Sequence, residues 1–302
     1  MTMGDALHVV VPYIKLARLH ILAGPSLVWW PCAWALTLVA ISTGMPTIIL
    51  IKMLSLFFIG SFTLHSAECV WNDICDVDFD RKVERTKNRP LAAGQISLQA
   101  AGLFLLPQVC LCLGLLLLTS AETIYVGLFG LFFLDTLYPL MKRVTYWPQA
   151  WLGIAINWGI PVAGLAATDR PDWRMLGALL VGAWCWTLHY DTCYAFQDKK
   201  DDVDAGVKST ALLFGQWGRP FLLFFSVGFI TSLWSATRLA NMGMLGTFLS
   251  IGGAAFHLLW QLLTIDPENP MSCGSVFKSN GEQLGWIVWS GMLLDYQLKQ
   301  FA

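Results

Sequence analysis

Charged side chains are scarce in this sequence. Lys, Arg, Asp and Glu together make up 13% of its 302 residues, whereas a soluble globular domain has about 25%. Hydrophobic residues make up 56% and the mean hydropathy is +0.58. This balance predicts an integral membrane protein. The formal net charge of −1 also gives no reason to expect nucleic-acid binding.

The sequence also lacks the cysteine spacings that indicate a metal site or a disulfide framework. The eight cysteines are scattered, no two form a CxxC pair, and no Cys and His residues have the spacing of a zinc site. We therefore expect the cysteines to be small buried side chains, and we expect no disulfide framework.

The N-terminal stretch lacks the common targeting signals. It has no apolar region that ends in a small-residue cleavage site, and it does not have the Arg- and Ser-rich character of a mitochondrial transit peptide. We therefore expect the first apolar segment to be retained as a membrane helix.

Long apolar runs are what the sequence contains instead. A bilayer core about 30 Å thick requires roughly 20 apolar residues in helical conformation. On this scale the sequence predicts an all-α integral membrane protein, with residues 1–302 forming a single domain. The ninth predicted span is short and contains Asp295. The nine spans lie near residues 21–41, 47–70, 98–119, 122–140, 148–167, 175–196, 220–238, 243–264 and 284–301.

The distribution of basic residues predicts the orientation in the membrane. If the N-terminus is cytosolic, so are segments 1–20, 71–97, 141–147, 197–219 and 265–283, which hold 14 of the 19 Lys and Arg residues. The positive-inside rule therefore places the N-terminus in the cytosol. All the long polar loops then lie at one face, which favours an enzyme over a transporter with gates at both faces.

The most unusual stretch is NDICDVDFDRKVERTKNRPLAAG, residues 72–94. It follows an apolar run and places four aspartates within eight residues, namely Asp73, Asp76, Asp78 and Asp80. A calcium-binding EF-hand loop is a poor match, because its glycine position holds Arg81 and its closing glutamate position holds Lys87.

The spacing of these acids is helical. Asp76 and Asp80, together with Asn72 or Asp73, recur every three or four residues and so share one helix face. Stacked carboxylates repel one another, and an all-oxygen ligand set suits Mg²⁺, which often bridges carboxylates to substrate phosphates. A solvated loop with internal salt bridges is the alternative. The basic residues that follow suit phosphate oxygens: Arg81, Lys82, Arg85 and Arg89.

A second acidic cluster, YDTCYAFQDKKDDVDAGVKSTALLFG at residues 190–215, follows another apolar run at the same predicted face. Its candidate residues are Asp191, Asp198, Asp201, Asp202 and Lys208. Two acid–Mg²⁺ sites that face each other across a cavity would hold a diphosphate from both sides. Because metal ions stabilise the charge that accumulates on such a leaving group, the two clusters predict ionisation of an allylic diphosphate.

Three signatures in this chain resemble those of the UbiA superfamily of membrane prenyltransferases, over nearly the full length. The signature NDxxDxxxDxxxxRTxxRPL matches at Asn72, Asp73, Asp76, Asp80, Arg85, Thr86, Arg89, Pro90 and Leu91. The signature DTxYAxxDxxDDxxxGxKST matches at Asp191, Thr192, Tyr194, Ala195, Asp198, Asp201, Asp202, Gly206, Lys208, Ser209 and Thr210. The signature YPxxKRxTxxPQ matches at Tyr138, Pro139, Lys142, Arg143, Thr145, Pro148 and Gln149.

The resemblance implies nine helices around a central cavity that opens sideways to lipid, with both aspartate-rich motifs at the cytosolic face. The resemblance is strongest to the branch that prenylates hydroxybenzoate-type aromatic acids. The implied Mg²⁺ ligands are Asp73, Asp76, Asp80, Asp198, Asp201 and Asp202. The implied substrate-binding residues are Arg18, Asn72, Arg85, Arg89, Lys142, Arg143, Tyr194, Lys199 and Lys208.

The implied reaction is an electrophilic aromatic substitution. Loss of diphosphate leaves an allyl cation that an apolar cavity shields from water, and a ring carbon ortho to a phenol attacks it. Asp191 is expected to orient the phenol or to act as the base. Arg143, with Lys142, is expected to meet the acceptor's carboxylate or to steady the diphosphate, positive-inside anchoring being the alternative. Tyr194 and tryptophan rings are expected to face the cation, with packing and interfacial positions as the alternative for the tryptophans.

The first span departs from the family pattern RLxRPxGxxLLxWP. This chain reads RLHILAGPSLVWWP, so that Arg18, Gly24 and Pro31 fit, while Ile21–Leu22 replace the usual Arg–Pro. Since the resemblance places this region on the acceptor side, we expect an acceptor other than plain 4-hydroxybenzoate.

With these departures, the resemblance implies Mg²⁺-dependent transfer of a farnesyl group from its diphosphate to a phenolic acid or aromatic polyketide. The expected setting is fungal meroterpenoid biosynthesis at the endoplasmic reticulum membrane. The expected partners are the two small-molecule substrates and lipid, with no nucleic acid and no obligate protein partner. The alternatives are a 4-hydroxybenzoate polyprenyltransferase of ubiquinone biosynthesis and a membrane transporter whose acidic loops bind cations.

Overall fold

The computed structural model describes residues 3–301, and their side chains from Val10 onward. The expectation about N-terminal targeting signals concerns, in part, residues outside this description.

The described residues form helices and connecting loops. Two π-helical turns, Gly130–Asp135 and Asn280–Leu284, join α5 to α6 and α14 to α15. The α-helices are α1 (Met3–Leu16), α2 (Ala23–Thr43), α3 (Thr47–Asp80), α4 (Leu98–Leu116), α5 (Ala121–Phe129), α6 (Thr136–Val144), α7 (Pro148–Ala155), α8 (Gly159–Ala167), α9 (Trp173–Ala195), α10 (Lys199–Ala205), α11 (Thr210–Phe214), α12 (Gly218–Leu239), α13 (Met244–Thr264), α14 (Pro270–Ser279) and α15 (Gly285–Gln300).

The all-α multi-pass architecture is confirmed. Seven helical segments in residues 3–301 are long and apolar enough to cross a membrane: Ala23–Thr43, Thr47–Asp80, Leu98–Leu116, Ala121–Val144, Pro148–Ala167, Thr210–Leu239 and Met244–Thr264. The two other predicted spans are helical in α9 and α15 but do not meet that criterion, so the count of nine stays a prediction.

Helices α2 and α9 form the interior of the bundle. Helix α2 packs against α3, α8 and α15, and α9 packs against α7 and α12. Both are buried along most of their length, whereas α4 exposes a row of leucines such as Leu103 and Leu106. Because α9 is surrounded by protein, it tolerates Trp, His, Thr and Asp residues that would be costly against lipid. This explains why its hydropathy falls below that of a lipid-facing helix.

Tryptophan side chains join α2 to the C-terminal helices. The indole N–H of Trp30 donates to the carbonyl oxygen of Gly281 at 2.7 Å, and that of Trp34 donates to Gly285 at 3.3 Å. Both carbonyls lie in or next to the second π-helical turn, which places them toward α2. These buried indoles are packing residues with satisfied N–H groups.

Gly281→Ala is expected to destabilise the bundle by about 1–3 kcal/mol, the usual range for overpacking. A Cβ atom at this position would lie 2.4 Å from the carbonyl oxygen of Ala23, a backbone atom that cannot move aside. The matched control is Gly177→Ala on α9, where an added Cβ meets nothing within 4 Å. Thermal unfolding in detergent should show a lower midpoint for the first variant and no loss for the control. Equal midpoints would contradict this packing.

Candidate active site

The first aspartate motif lies on the last turns of α3, which runs without interruption to Asp80. The side chains of Asp73 and Asp76 have no solvent exposure, and Asp80 is also buried, whereas the side chain of Asp78 is 80% exposed. The helix ends here because Thr86, itself buried, donates through Oγ1 to the carbonyl oxygen of Asp80 at 3.0 Å. One face of α3 therefore turns three carboxylates inward.

Arginines from two other segments bind this face. Arg18 donates to both carboxylate oxygens of Asp73, at 2.7 and 3.0 Å. Its backbone has φ +55°, which is uncommon for a residue other than glycine. Arg89 bridges Asp73 at 3.2 Å and Asp80 at 2.9 Å. The two guanidinium groups thus neutralise acids that are too deeply buried to rely on water.

The third signature supplies cations to the middle carboxylate. Lys142, in the last turn of α6, donates to Oδ2 of Asp76. Arg143 lies 3.4 Å from Oδ1 of Asp76 and also donates to the carbonyl oxygen of Cys75 at 2.6 Å. The predicted basic pair and the first motif therefore form one charged cluster.

Arg85 joins the two aspartate motifs. It makes a bidentate contact with Asp198, at 2.6 and 2.8 Å, and donates to the hydroxyl of Tyr194 at 2.7 Å. The backbone N–H of Glu84 donates to Asp201 at 3.0 Å. The loop after α3 therefore spans the two predicted halves of the diphosphate site.

Asp202 is the buried carboxylate at the far end of the second motif. Burial raises its pKa to about 7, with the nearby charge of Asp198 as the next cause. No hydrogen bond from Arg or Lys to this carboxylate occurs in the described part of the chain. The charges of Lys142 and Arg85 act on this carboxyl from nearby without bonding to it, so its oxygens remain free to ligate a dication.

The loop of the second motif is held by backbone contacts. Gly206 has φ +72°, a conformation that favours glycine, and it ends α10. The N–H of Lys208 donates to the carbonyl of Lys142 at 2.9 Å, and the N–H of Thr210 donates to the buried Gln149 side chain at 3.0 Å. Residues of the third signature thus position the second motif.

Two predicted phosphate-binding lysines point elsewhere. The ammonium of Lys199 lies 3.3 Å from Glu268, in the loop before α14. The ammonium of Lys208 donates to the carbonyl of Val144 at 3.2 Å and lies over the ring of Tyr146. Neither side chain contacts the carboxylates of the two motifs in this structure.

A polar cavity of about 250 Å³ lies between the helices beside the first motif. Several predicted site residues line it, namely Arg18, Asn72, Arg89, Asp191 and Tyr194. Aromatic side chains from Tyr138, Tyr190 and Phe277 complete the wall. No tryptophan is among the described lining residues, so the expectation of tryptophans facing the cation finds no support in this cavity.

A second cavity, apolar and of about 140 Å³, lies deeper in the bundle. Its walls are mostly apolar side chains from α2, α3 and α4, such as Val28, Leu64 and Leu115, with Trp158 just before α8. Asp135, Ala155 and Ile156 line both cavities. The site therefore combines a polar compartment with an apolar one directly behind it.

Two acidic residues in the cavity wall were not singled out from the sequence. Glu68 lies on α3 one turn before Asn72, and Asp135 ends the π-helical turn before α6. Both fall within predicted spans, and an acid inside a span is itself a signal of function. Motif spacing draws attention only to the acids clustered at the membrane edge.

The side chains of the two aspartate motifs offer the kind of ligand atom that Mg²⁺ prefers. The six predicted ligands are carboxylates, and a hard dication prefers oxygen. Among residues 3–301, however, no three His, Cys, Asp or Glu side chains are arranged to hold a metal ion. Arg and Lys side chains instead contact the carboxylates of the first motif and Asp198. The carboxylates would have to exchange these partners to ligate a metal.

Residues 28–287 match the model of the UbiA prenyltransferase family. The chain is 45% identical over 285 residues to the UbiA prenyltransferase claS of Ampulloclitocybe clavipes, covering 94% of this chain and 91% of that protein. It is 40% identical over 288 residues to the mitochondrial 4-hydroxybenzoate polyprenyltransferase of Drosophila pseudoobscura pseudoobscura, covering 95% of this chain and 71% of that protein.

The fold agrees with this match. A UbiA homolog from Archaeoglobus fulgidus, solved bound to GPP and Mg²⁺, superposes with a TM-score of 0.65 at 16% identity, covering 95% of this chain and 99% of that one. The likeness in fold, the match over most of the chain and the named relatives agree. This membrane protein is a prenyltransferase and belongs to the UbiA prenyltransferase family.

Proposed function

We propose that this enzyme transfers a farnesyl group from its diphosphate to a phenolic aromatic acid or polyketide in meroterpenoid biosynthesis. The observation that carries the proposal is the pair of adjoining cavities. The polar one meets the aspartate motifs, and the apolar one lies behind it, with Asp135, Ala155 and Ile156 shared between them. This arrangement matches a substrate that has a charged head and a long apolar tail.

The donor is placed with its diphosphate between the two motifs. When bound, Mg²⁺ supplies charge neutralisation of the leaving diphosphate. Its proposed ligands are Asp73, Asp76, Asp80, Asp198, Asp201 and Asp202, and the solved relative that holds GPP and Mg²⁺ supports this use of a divalent metal.

The basic residues of the site bind phosphate oxygens. Arg89 bridges Asp73 and Asp80, and Arg85 contacts Asp198 and the hydroxyl of Tyr194, so that both guanidinium groups already lie beside proposed metal ligands. Arg18, Lys142 and Arg143 would become available for phosphate oxygens if their carboxylates bound a metal instead. The guanidinium groups could then hold the diphosphate in a bidentate manner, and Lys142 would add a point charge.

The contacts of Lys199 and Lys208 give less support to phosphate binding by these two residues. For their ammonium groups to reach the diphosphate, they would have to leave Glu268 and the Val144 carbonyl. We retain both as proposed contacts of the diphosphate in the substrate-bound site.

The acceptor is placed in the polar cavity, near the start of the prenyl tail. Asn72 and Asp191 line this space from opposite helices, α3 and α9. We propose that Asp191 orients the phenol or removes the ring proton. Tyr138, Tyr190 and Tyr194 line the cavity, and we propose that their rings stabilise the allyl cation, while the apolar wall excludes water that would otherwise quench it.

The proposed location is the endoplasmic reticulum membrane, with a cytosolic N-terminus.

A second candidate function has a specific observation behind it. The 40% identity to a mitochondrial 4-hydroxybenzoate polyprenyltransferase favours a long-chain donor and 4-hydroxybenzoate as acceptor. The transporter alternative loses its basis, because the chain belongs to a family of enzymes.

A donor–acceptor matrix tests the proposal. Membranes from a heterologous host would be supplied with geranyl, farnesyl, geranylgeranyl or longer diphosphates, each with 4-hydroxybenzoate or orsellinic acid, and products would be identified by mass. We expect a farnesyl adduct of the orsellinic acid. Long-chain adducts of 4-hydroxybenzoate alone would instead support the second candidate, and the absence of any aromatic adduct would refute both.

Arg85→Lys is expected to lower kcat/KM for the prenyl diphosphate about tenfold or more, because a charge-assisted hydrogen bond contributes about 1.5–3 kcal/mol. A lysine has one ammonium and cannot reach Asp198 twice and Tyr194 as well. The control is Arg81→Lys, whose exposed side chain pairs with the exposed Asp78. Equal rates for both variants would contradict a linking role of Arg85.

A further inference from the structure

We propose that Glu68 and Asp135 together bind the phenolic hydroxyl group of the aromatic acceptor. The inference rests on the proposed function, since it assumes that an aromatic acceptor enters the polar cavity. It adds two residues outside the three signatures and assigns to them the phenolic hydroxyl, which leaves removal of the ring proton as the role of Asp191.

The two carboxyl groups meet inside the protein. Glu68 and Asp135 line the polar cavity from α3 and from the π-helical turn, and their carboxyl groups lie within hydrogen-bond contact of each other. The π-helical turn fits one more residue than a regular turn, which turns Asp135 onto the cavity. Such turns occur frequently at functional sites.

The carboxyl groups of Glu68 and Asp135 lack the basic partners that the motif aspartates have among the described side chains. Neither carboxyl takes part in an ion pair among the described side chains, whereas Asp73, Asp76, Asp80 and Asp198 all do. Two carboxyl groups in contact in a poorly solvated space cannot both be ionised, because the like charges repel. The pair therefore holds at least one proton.

One oxygen of the pair has no N–H or hydroxyl donor among the described residues. Oδ1 of Asp135 is buried, and apart from the carboxyl group of Glu68 no described side chain or backbone group is placed to bond to Asp135 there. A buried acceptor without a partner is costly, and in native proteins it points to a ligand or a functional role. Since Asp135 lines both cavities, a molecule bound at their junction lies next to this carboxyl group.

The carboxyl groups at the junction of the two cavities favour a hydroxyl group of the bound molecule as their hydrogen-bond partner. The acid pair has no basic partner among the described side chains to attract a carboxylate, and its oxygens accept hydrogen bonds, so an aromatic acid enters with its phenol toward the pair. The acceptor's own carboxylate then faces the basic end of the cavity, where Arg18 and Arg89 lie. This orientation brings the carbon ortho to the phenol next to the junction, where the prenyl tail enters the apolar cavity.

The first test uses the unmodified enzyme. Purified protein in detergent, with Mg²⁺ and an unreactive thio analogue of farnesyl diphosphate, would be titrated with the aromatic acid that it prenylates, 4-hydroxybenzoate or orsellinic acid. The matching probe has each phenol methylated, as in 4-methoxybenzoate. We expect the methyl ether to bind at least about tenfold more weakly, because a site built to hydrogen-bond a hydroxyl strongly rejects an analogue without it. Equal dissociation constants would overturn the proposal.

The second test changes the pair. Glu68→Gln and Asp135→Asn keep the side-chain volume, and their amides offer N–H donors that can bond to an ether oxygen. We expect phenol binding to weaken about tenfold and the preference for phenol over methyl ether to shrink or disappear. The thio donor analogue should bind within about twofold of the unmodified enzyme, since the pair makes no contact with phosphate in this proposal. Asp78→Asn, an exposed acid on the same helix, is the control and should change none of these constants.

The outcomes separate this inference from the proposed function. If the unmodified enzyme prenylates no aromatic acid, the proposed function fails. If it does, but the pair variants keep the phenol preference, or donor and acceptor binding weaken together, the inference fails and the pair is structural. Should a variant fail to fold, the comparison of phenol and methyl ether in the unmodified enzyme still decides.

Discussion

Asp76→Asn is expected to lower kcat by about 1,000-fold, the upper range for loss of one preorganised electrostatic contact to a transition state. Asp76 is fully buried, and its carboxylate forms ion pairs with both Lys142 and Arg143. The amide keeps the shape but carries no charge, so it is a poor Mg²⁺ ligand. Single-turnover formation of the prenylated product, measured by mass, would give the effect on the chemical step.

Asp78→Asn is the matched control, two residues further along the same helix. Its side chain is 80% exposed and pairs with Arg81 on the surface, so we expect a rate within about twofold of the unmodified enzyme, as for most surface changes. Because Asp76→Asn also leaves two cations short of a partner, thermal unfolding must accompany the assay. A stably folded Asp76→Asn enzyme with near-normal turnover would refute the proposed role of the first motif.

Ala155→Phe is expected to change the preferred donor. Ala155 is buried and lines both cavities, so a phenyl ring there obstructs the passage from the polar compartment to the apolar one. We expect the rate with farnesyl diphosphate to fall by about 100-fold, which corresponds to about 2.7 kcal/mol and lies within the cost of overpacking a well-packed site. Dimethylallyl diphosphate, whose tail is short, should retain most of its rate.

The control for this variant is Ala255→Phe, an exposed alanine in the middle of α13. Ala255 is not among the lining residues of either cavity. The control therefore adds the same ring without obstructing the passage, so the ratio of farnesyl to dimethylallyl products should stay unchanged. Product ratios from a mixture of both donors give the measurement. If Ala155→Phe and Ala255→Phe have the same ratio, the prenyl tail does not pass the junction.

The membrane architecture could be predicted from hydropathy because most spans face lipid. Helix α4, with its exposed leucines, is apolar over its whole length and was placed almost correctly. Helix α9 lies inside the bundle, so its composition reflects protein contacts and not lipid. The predicted span at 175–196 agrees with this helix (Trp173–Ala195), although α9 is not among the seven segments long and apolar enough to cross a membrane. The same reasoning applies to α15, where Asp295 accepts a backbone hydrogen bond from Gly243 at 2.8 Å.

The candidate site was only partly readable from spacing. A periodicity of three or four residues was enough to predict that Asp73, Asp76 and Asp80 share a helix face. It carried no information about their partners: the link from Arg85 to Asp198 joins residues 113 positions apart. The contact between Glu68 and Asp135 depends on a π-helical turn, whose register shift has no simple signature in composition. Pairings of this kind require the tertiary fold.

The most direct test of the central claim is product formation by purified enzyme before and after metal removal. Farnesyl diphosphate and orsellinic acid would be incubated with the unmodified enzyme, with Asp76→Asn and with Asp198→Asn, in Mg²⁺ or in EDTA. The proposed site predicts a farnesylated product in the unmodified enzyme with Mg²⁺, loss of that product in EDTA, recovery on restoring Mg²⁺, and little product from either variant. Undiminished product in EDTA, or from both folded variants, would contradict a metal-dependent diphosphate site built from the two aspartate motifs.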